Sequence, residues 1–278
     1  MSSQLNDTHI WDALRNKVVS KKGGWRIGEA VYNHGYDMMN ELVGHRSYFQ
    51  VLVLNVTGKL PSESVAKWLE AGFICLSWPD PRIWCNQIGA LAGTIKASCP
   101  SAVAGGILAA DSRMYGSGTM KACIDFIKKA RVQQLEGMSI DAIVECELAA
   151  RSKLLKSKPV IVGYSRPIAS GDERVSAMQR VGQQLGFVPG SHEQIAIDIH
   201  NYLNTHHNEG FNVAGYMAAV LSDLGYDGKN VERLFSSWVQ SGVHACYAEA
   251  ADNTELSFLP LRCSDIKYTG PAKRKITQ

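Results

Sequence analysis

Apolar residues recur every three or four positions along most of this chain, which is the spacing of a helix with one buried face. The stretch from Ser62 to Trp78 shows the pattern clearly, and Ser62 is a suitable N-cap. The same periodicity predicts further helices at 84–97, 101–110, 118–134, 139–155, 172–187, 192–205, 212–224 and 229–251. Alternating apolar and polar runs, as a half-buried strand requires, are nearly absent. The sequence therefore predicts an all-α fold.

Two segments could depart from this pattern. The run from Val51 to Val56 could form a strand by composition alone, but its flanks favour a buried helix. A short N-terminal hairpin is suggested around Gly23 to Gly28, where glycines flank a tryptophan.

Length, composition and charge exclude several classes of protein. The 278 residues are 45% hydrophobic and 20% charged, an ordinary globular mixture that suits one or two domains. The net charge is +3, and the basic tract at 273–275 lacks the interleaved aromatic residues typical of single-stranded nucleic-acid binding. Because the first residues have no apolar signal core and no long apolar run follows, we expect a cytoplasmic protein that binds neither membrane nor nucleic acid.

The cysteines and histidines do not form a metal-binding pattern. The seven cysteines are scattered and no Cys-x-x-Cys pair occurs, which indicates free thiols in a reducing compartment. We interpret Cys85 and Cys263 as core residues, although both lie near candidate site segments. Three histidines lie close together near Glu209, but their spacing does not match a helical metal site. They are His200, His206 and His207. We expect no metal ion.

Two predicted helices are rich in small residues. Glycine and alanine recur at three- and four-residue spacing in 88–94 and in 102–110. A glycine within a helix costs about 1 kcal/mol relative to alanine, and the close approach of a second helix can offset that cost. We expect tight helix crossings here, in a core or in a dimer interface.

Four collinear blocks of the sequence resemble the citrate synthase family. The segment from Gly163 to Arg174 reads Gly-Tyr-Ser-Arg-Pro-Ile-Ala-Ser-Gly-Asp-Glu-Arg, and it is similar to the family's Gly-aromatic-Gly-His-x-Val followed by Asp-Pro-Arg. Asn212-Val-Ala-Gly-Tyr, with later segments at 241–249 and 268–271, resembles a second family block. The other two similar blocks lie at 35–61 and 91–118. The likeness covers nearly the whole chain from about residue 25.

The resemblance implies a two-domain helical fold and a reaction. The large domain would comprise 1–115 and 219–278, with a smaller domain at 116–218 inserted between them. By this resemblance, the protein would be a homodimer that joins an acyl-CoA thioester to a small oxo acid. We therefore expect a transferase, or the reverse lyase, with CoA thioester as co-substrate, a small carboxylate as the other substrate and no tightly bound cofactor.

The residues that would perform the family's chemistry are replaced in this chain. By position, the proton-abstracting aspartate falls on Ala214, the enol-binding histidine on Tyr115 and the ketone-polarising histidine on Arg166. Alanine cannot accept a proton, so the familiar mechanism of citrate synthesis is not expected.

The replacements nevertheless include groups suited to anionic substrates, because arginine forks bind carboxylates in a bidentate way and a phenol can donate to an enolate oxygen. The catalytic candidates are Tyr115, Arg166, Asp111 and Asp80. The candidates for substrate binding are Arg82, Arg113, Arg174, Arg262 and His45, and those for cofactor positioning are Gly163, Tyr164 and Asp172.

Each candidate also has a structural interpretation. Asp80 and Arg82 could simply tie a turn, His45 could pack between helices, and Asp172 could open a helix where an acid favours the helix dipole. If Asp111 and Tyr115 share a helix, their four-residue spacing places them on one face. Two other functions stay open: a non-catalytic relative that binds a metabolite or partner, and a different reaction in the same cleft, such as decarboxylation of a small carboxylate.

Overall fold

The computed structural model describes residues 8–16, 19–112, 115–152, 159–166, 171–254 and 262–276. Its α-helices, in chain order, are α1 His9–Leu14, α2 Tyr48–Thr57, α3 Glu63–Ile74, α4 Trp84–Thr94, α5 Cys99–Ala110, α6 Ser117–Leu135, α7 Ile140–Ser152, α8 Glu173–Gln184, α9 Ser191–His207, α10 Val213–Asp223, α11 Gly228–Leu234 and α12 Gln240–Asp252. A π-helix spans Met38–Leu42 and a 3₁₀-helix spans Cys263–Asp265. The predicted all-α fold class is confirmed.

The small sheet of the chain lies near its N-terminus. Strands β1 Gly23–Arg26 and β2 Ala30–Asn33 pair antiparallel, and β3 Tyr36–Asp37 pairs with β2. The hairpin suggested by the glycines is thus present. The run from Val51 to Val56 lies within α2, which begins at a capping box formed by Ser47 and Gln50. Both interpretations made from the sequence are confirmed.

The chain divides into two compact units. Unit 1 comprises residues 1–73 and 119–235, and unit 2 comprises 74–118 and 236–278. The domain boundaries expected from the resemblance, at 115/116 and 218/219, stay a prediction. Large side chains are fully buried in unit 1, among them Trp68, Tyr164 and Phe235.

Unit 2 contains the helix crossings that its small residues predict. A Cβ added to Gly89 would lie 2.8 Å from a methyl group of Val243, and one added to Gly93 would lie 2.7 Å from the carbonyl oxygen of Tyr247. A Cβ added to Gly106 of α5 would clash with the same valine. These distances are shorter than an ordinary contact of a carbon atom. Helices α4 and α5 can therefore approach α12 this closely because they carry glycine at these positions. The crossings lie in the core of unit 2.

One predicted helix is wrong. The segment 229–251 was expected to be a single helix, but α11 ends at Leu234 and α12 begins at Gln240, with a turn over 235–239. This turn carries the chain from unit 1 into unit 2. Phe235 and Trp238 are both buried, so apolar periodicity continues across the break, while two serines between them favour turns over helix.

Among the residues that the structure describes, no helix has both the length and the apolar character needed to cross a membrane.

Candidate functional site

The candidate site residues lie in both units, and the two groups are described separately. Unit 1 contains the glycine loop at 163–166, the cap at 171–174 and the start of α10, together with His45. Unit 2 contains the remaining candidates that the structure describes, namely Asp80, Arg82, Asp111, Tyr115 and Arg262.

Two glycines allow the loop of unit 1 to touch the start of α10. Gly163 has a φ of +89°, and its carbonyl oxygen accepts a hydrogen bond from the backbone of Asn212 at 2.9 Å. A Cβ added to Gly215 would clash with that same carbonyl group. The contact is therefore backbone against backbone, and a side chain at either position would separate the two segments.

Asn212 joins the loop to the helix. As the N-cap of α10, its Oδ1 accepts a hydrogen bond from the backbone of Gly215 at 3.1 Å. Its Nδ2 donates to the carbonyl of Ser165 at 2.8 Å. The predicted site residue Tyr164 is buried beside it, stacks on Phe211 with ring centroids 5.0 Å apart, and donates to the carbonyl of Ala196 at 3.2 Å. Tyr164 therefore anchors the loop.

Asp172 is the most highly coordinated carboxylate of this cluster. Its side chain is completely buried. It accepts hydrogen bonds from Nε and Nη2 of Arg174, both at 2.7 Å, and from the backbone of Val213 at 2.8 Å. Burial acts to raise the pKa of Asp172, but the hydrogen bonds and charge of Arg174, with the Val213 amide and Arg166, outweigh it and lower the pKa. Asp172 thus stays ionised and links α8 to α10.

Arg166 is held by groups of its own chain. Its guanidinium donates to both carboxylate oxygens of Glu173, at 2.5 and 3.2 Å, and to the carbonyl of Gly171 at 3.1 Å. Its Nη1 lies 3.6 Å from Asp172, and its side chain is 11% exposed. The hydrogen bonds from Arg166 lower the pKa of Glu173 to about 2. The fork therefore already binds one carboxylate in a bidentate way.

The start of α10 offers no proton acceptor at its second residue. Ala214, where the resemblance places the family's acid, is half-buried beside the N-cap. The residues that follow on α10 are buried, which leaves this methyl group at the position where a carboxylate would otherwise project. A general base must come from elsewhere in the chain if the protein abstracts a proton.

In unit 2, Asp80 and Arg82 form a closed pair. Both oxygens of Asp80 accept from Nε of Arg82, at 3.0 and 3.1 Å, and Asp80 also accepts from the Arg82 backbone at 2.8 Å. The side chain of Asp80 is 8% exposed and that of Arg82 is 80% exposed. The hydrogen bonds from Arg82 lower the pKa of Asp80. The carboxylate of Asp80 is therefore engaged by Arg82, while the guanidinium of Arg82 is largely exposed to solvent.

Asp111 and Tyr115 do not share a helix, so the condition for a shared helical face is not met. Helix α5 ends at Ala110, Asp111 is its C-cap, and Tyr115 pairs with Ser112 as an isolated bridge. Gly116 follows with a φ of +87°, and a Cβ added there would lie 2.8 Å from the carbonyl oxygen of Ala110. The backbone pairing of Tyr115 with Ser112, rather than helical spacing, holds Tyr115 near the end of α5.

The surroundings of this turn differ for its two candidate residues. Tyr115 is half-buried with its ring edge-to-face with Trp84, the centroids 5.0 Å apart. Asp111 is exposed and accepts a long hydrogen bond of 3.4 Å from the hydroxyl of Ser117. Of the two predicted acids in unit 2, Asp111 is the one whose carboxylate faces solvent.

The other candidates have simpler surroundings. His45 is exposed in the turn before α2, and Arg262 is exposed and donates its backbone N–H to Asp265 at 2.8 Å. Arg113 lies outside the described residues, as does the side chain of Cys263. Cys85 is buried, and burial raises the pKa of its thiol, as suits a core residue.

The three clustered histidines have individual partners. His207 bonds to Glu145 at 2.7 Å, His206 to the carbonyl of Tyr202 at 3.0 Å, and His200 accepts from the backbone of Phe211 at 3.0 Å. In the described ranges, no group of three or more His, Cys, Asp or Glu residues is arranged to hold a metal ion.

The burial of His200 predicts that the stability of the protein depends on pH. Burial lowers its pKa, so the unfolded chain takes up the proton first as the pH falls through the ordinary value of about 6.5. Protonation also removes the acceptor used by Phe211. We expect the free energy of unfolding to fall between pH 7.5 and 5.5 more in the wild type than in His200→Gln, measured by urea titration. His206→Gln, on the exposed side of α9, should keep the wild-type slope; an unchanged slope in His200→Gln would contradict this role.

The helices and their connections define the citrate-synthase-like fold, and comparison with solved structures confirms that prediction. A citryl-CoA lyase from Hydrogenobacter thermophilus is similar over 94% of this chain and 98% of its own, with a TM-score of 0.77 and 23% identity. A citrate synthase from Thermotoga maritima is similar over 84% of this chain and 60% of its own, with a TM-score of 0.60 and 22% identity.

A third similar structure is that of ATP citrate lyase from Methanothrix soehngenii in complex with citrate and coenzyme A. The likeness covers 98% of this chain but only 45% of the lyase, with a TM-score of 0.75 and 17% identity. No family model matches the sequence, and no curated protein matches it. At these identities the comparisons establish the fold.

Sequence reasoning missed two residues that organise the site in unit 1. Glu173 was part of the quoted motif but was given no role, and it proves to be the main partner of Arg166. Asn212 was likewise only a point of resemblance, and it caps α10 while holding the loop. An Asn three residues before a glycine at a predicted helix start is a capping signal that could have identified the second of these.

Proposed function

We propose that this chain is an enzyme that cleaves or forms the carbon–carbon bond of a citryl-CoA-type thioester, between an acyl-CoA and a small oxo acid. The observation that carries the proposal is the structural likeness: the citryl-CoA lyase matches 94% of this chain with a TM-score of 0.77, whereas the citrate synthase matches 84% with a TM-score of 0.60. This favours the lyase direction over synthesis. Citrate and coenzyme A bound in the ATP citrate lyase support the same class of ligands.

The acid and base of this reaction would come from residues other than those of the family. Because Ala214 cannot accept a proton and Asp80 is occupied by Arg82, Asp111 is the better proton acceptor of the two predicted acids. Tyr115, in the same turn, would donate its phenolic hydrogen to an enolate oxygen. Arg82, Arg113 and Arg262 stay candidate ligands for carboxylate groups.

The cationic residues of unit 1 are a second, separate set of candidate ligands for carboxylate groups. Arg174 is fixed by the buried Asp172, and Arg166 presents a guanidinium fork at the end of the glycine loop. Such forks match carboxylate geometry. Gly163 and Tyr164 would position the cofactor only indirectly, by holding this loop against α10.

A second candidate function, a non-catalytic protein that binds a metabolite, is favoured by Ala214 and by the pairing of both arginines with carboxylates of the chain. Thermal unfolding with CoA, with citrate and with both ligands separates the two. An enzyme of the proposed class should gain several degrees in Tm with CoA and with citrate at about 100 times Kd. Stabilisation by citrate alone, or by neither ligand, would contradict the enzyme and favour the binding protein.

We also propose that the protein is a homodimer that associates through α4 and α5. The 23 residues of these two helices include no charged side chain. Several of their large apolar side chains are exposed, namely Trp84, Ile88, Leu91 and Leu108. An uncharged patch can meet a copy of itself without placing like charges opposite one another, as a two-fold interface requires.

Leu108→Lys should convert the dimer to a monomer, because the Leu108 side chain is 76% exposed in one chain and would be buried against the second copy. Light scattering after size exclusion gives the molecular mass directly. Leu135→Lys is the matched control, since Leu135 ends α6 in unit 1 and is 70% exposed. A dimer that persists in Leu108→Lys would remove this interface.

A further inference from the structure

The charges around the two arginines of unit 1 cancel. Arg166 and Arg174 carry two positive charges, and Asp172 and Glu173 carry two negative charges within ion-pair distance. A carboxylate ligand that approaches this cluster therefore meets no net positive charge. Bidentate binding of a ligand carboxylate to the occupied edge of either guanidinium requires that the internal carboxylate on that edge leave.

The two carboxylates differ in their ability to leave. The side chain of Asp172 is fully buried and accepts from Arg174 and from the backbone of Val213, so its displacement would leave a buried charge without partners. The side chain of Glu173 is 71% exposed, so water can solvate its carboxylate once it leaves Arg166. Of the two carboxylates, that of Glu173 is consequently the one that can leave its arginine.

The contact between Glu173 and Arg166 has the geometry of a bound ligand. One oxygen lies 2.5 Å from Nη1 and the other 3.2 Å from Nη2, which is a bidentate carboxylate on a guanidinium fork. Arg166 itself is kept in place by the carbonyl of Gly171 and by Asp172 when Glu173 leaves. The fork is thus preformed for a carboxylate.

We propose that Glu173 is an internal competitor for Arg166, and that a small polycarboxylate ligand binds by displacing it. This inference rests on the ligand class of the proposed function. Glu173 weakens the affinity for the ligand, and it returns to the fork when the ligand departs. It is a specificity-determining residue, because a ligand needs a carboxylate of its own to replace the one that it displaces.

The test is calorimetric titration of the full chain with citrate. Glu173→Gln should bind citrate about fivefold more tightly than the wild type, because the competing charge is removed while the fork stays. Glu63→Gln is the matched control: Glu63 is the first residue of α3, as Glu173 is of α8, and its side chain is also 71% exposed in an ion pair, with Lys67. The control should bind citrate as the wild type does.

Two more variants make the result decisive. Glu173→Ala removes the same charge with a different side chain and should give the same gain in affinity. Adding Arg166→Gln to Glu173→Gln should abolish the gain, because the fork is then absent. An affinity that is unchanged or weaker in Glu173→Gln and Glu173→Ala, or the absence of citrate binding in every variant, would overturn the inference.

Direct binding also separates this inference from the proposed function. Citrate affinity that responds to Glu173 without any turnover of a CoA thioester would support the inference and contradict the enzyme. Turnover of the CoA thioester, with a citrate affinity that does not change in the Glu173 variants, would support the enzyme and contradict the inference.

Discussion

Gly215→Ala is expected to lower the free energy of unfolding by about 3 kcal/mol or more, the upper end of the cost of overpacking. The added methyl group would clash with the Gly163 carbonyl, whose φ of +89° leaves the loop no easy way to yield. The hydrogen bond from Asn212 to that carbonyl would be strained as well. Urea unfolding measured by circular dichroism gives the change directly.

Gly182→Ala is the matched control for this substitution. Gly182 is also a buried helical glycine, in α8, but a Cβ there would lie 3.6 Å from the nearest atom, Nε1 of Trp68. Since alanine is about 1 kcal/mol better than glycine within a helix, this variant should be neutral or more stable. Equal losses in the two variants would show that the contact between loop and helix is not rigid.

Asp172→Ala is expected to cost about 3 kcal/mol, the value typical of removing one partner from a buried ion pair. The change removes the carboxylate that accepts hydrogen bonds from Arg174 and from the Val213 amide. It also removes the negative charge beside Arg166. Asp80→Ala is a useful comparison, because its partner Arg82 is 80% exposed and is solvated once freed, so the loss should be smaller.

A double-mutant cycle assigns the effect of Asp172 to its partner. Arg174→Gln in the Asp172→Ala background should cost much less than Arg174→Gln alone, because the pair is already broken. Additive losses would show that Asp172 stabilises the chain mainly as the N-cap of α8 rather than through Arg174.

The helices were predictable because their apolar faces are periodic, and the exception shows the limit of that signal. The turn over 235–239 keeps the apolar spacing through Phe235 and Trp238, yet the chain leaves one compact unit and enters the other there. Periodicity reports burial on one side of a segment and carries no information about which unit buries it.

The sequence identified segments of unit 1 that the structure brings together, but it did not identify how their side chains pair. The glycine loop and the Asp-Glu-Arg cap were identifiable from their sequence, and the structure brings them together with the start of α10. Which carboxylate pairs with which arginine was not predictable, because two acids and two arginines lie within nine residues and local spacing permits several pairings. The same holds for Asp111 and Tyr115, whose relation involves the backbone pairing of Tyr115 with Ser112.

The proposed reaction is tested most directly by incubating the full chain with (3S)-citryl-CoA and following the products by mass spectrometry. We expect loss of citryl-CoA and equal formation of acetyl-CoA and oxaloacetate, faster than without protein. Asp111→Asn and Tyr115→Phe should each slow the reaction at least tenfold. Glu63→Gln should cleave the thioester at the wild-type rate. Citryl-CoA that stays intact with the folded wild-type protein, together with no synthesis from acetyl-CoA and oxaloacetate, would contradict the account.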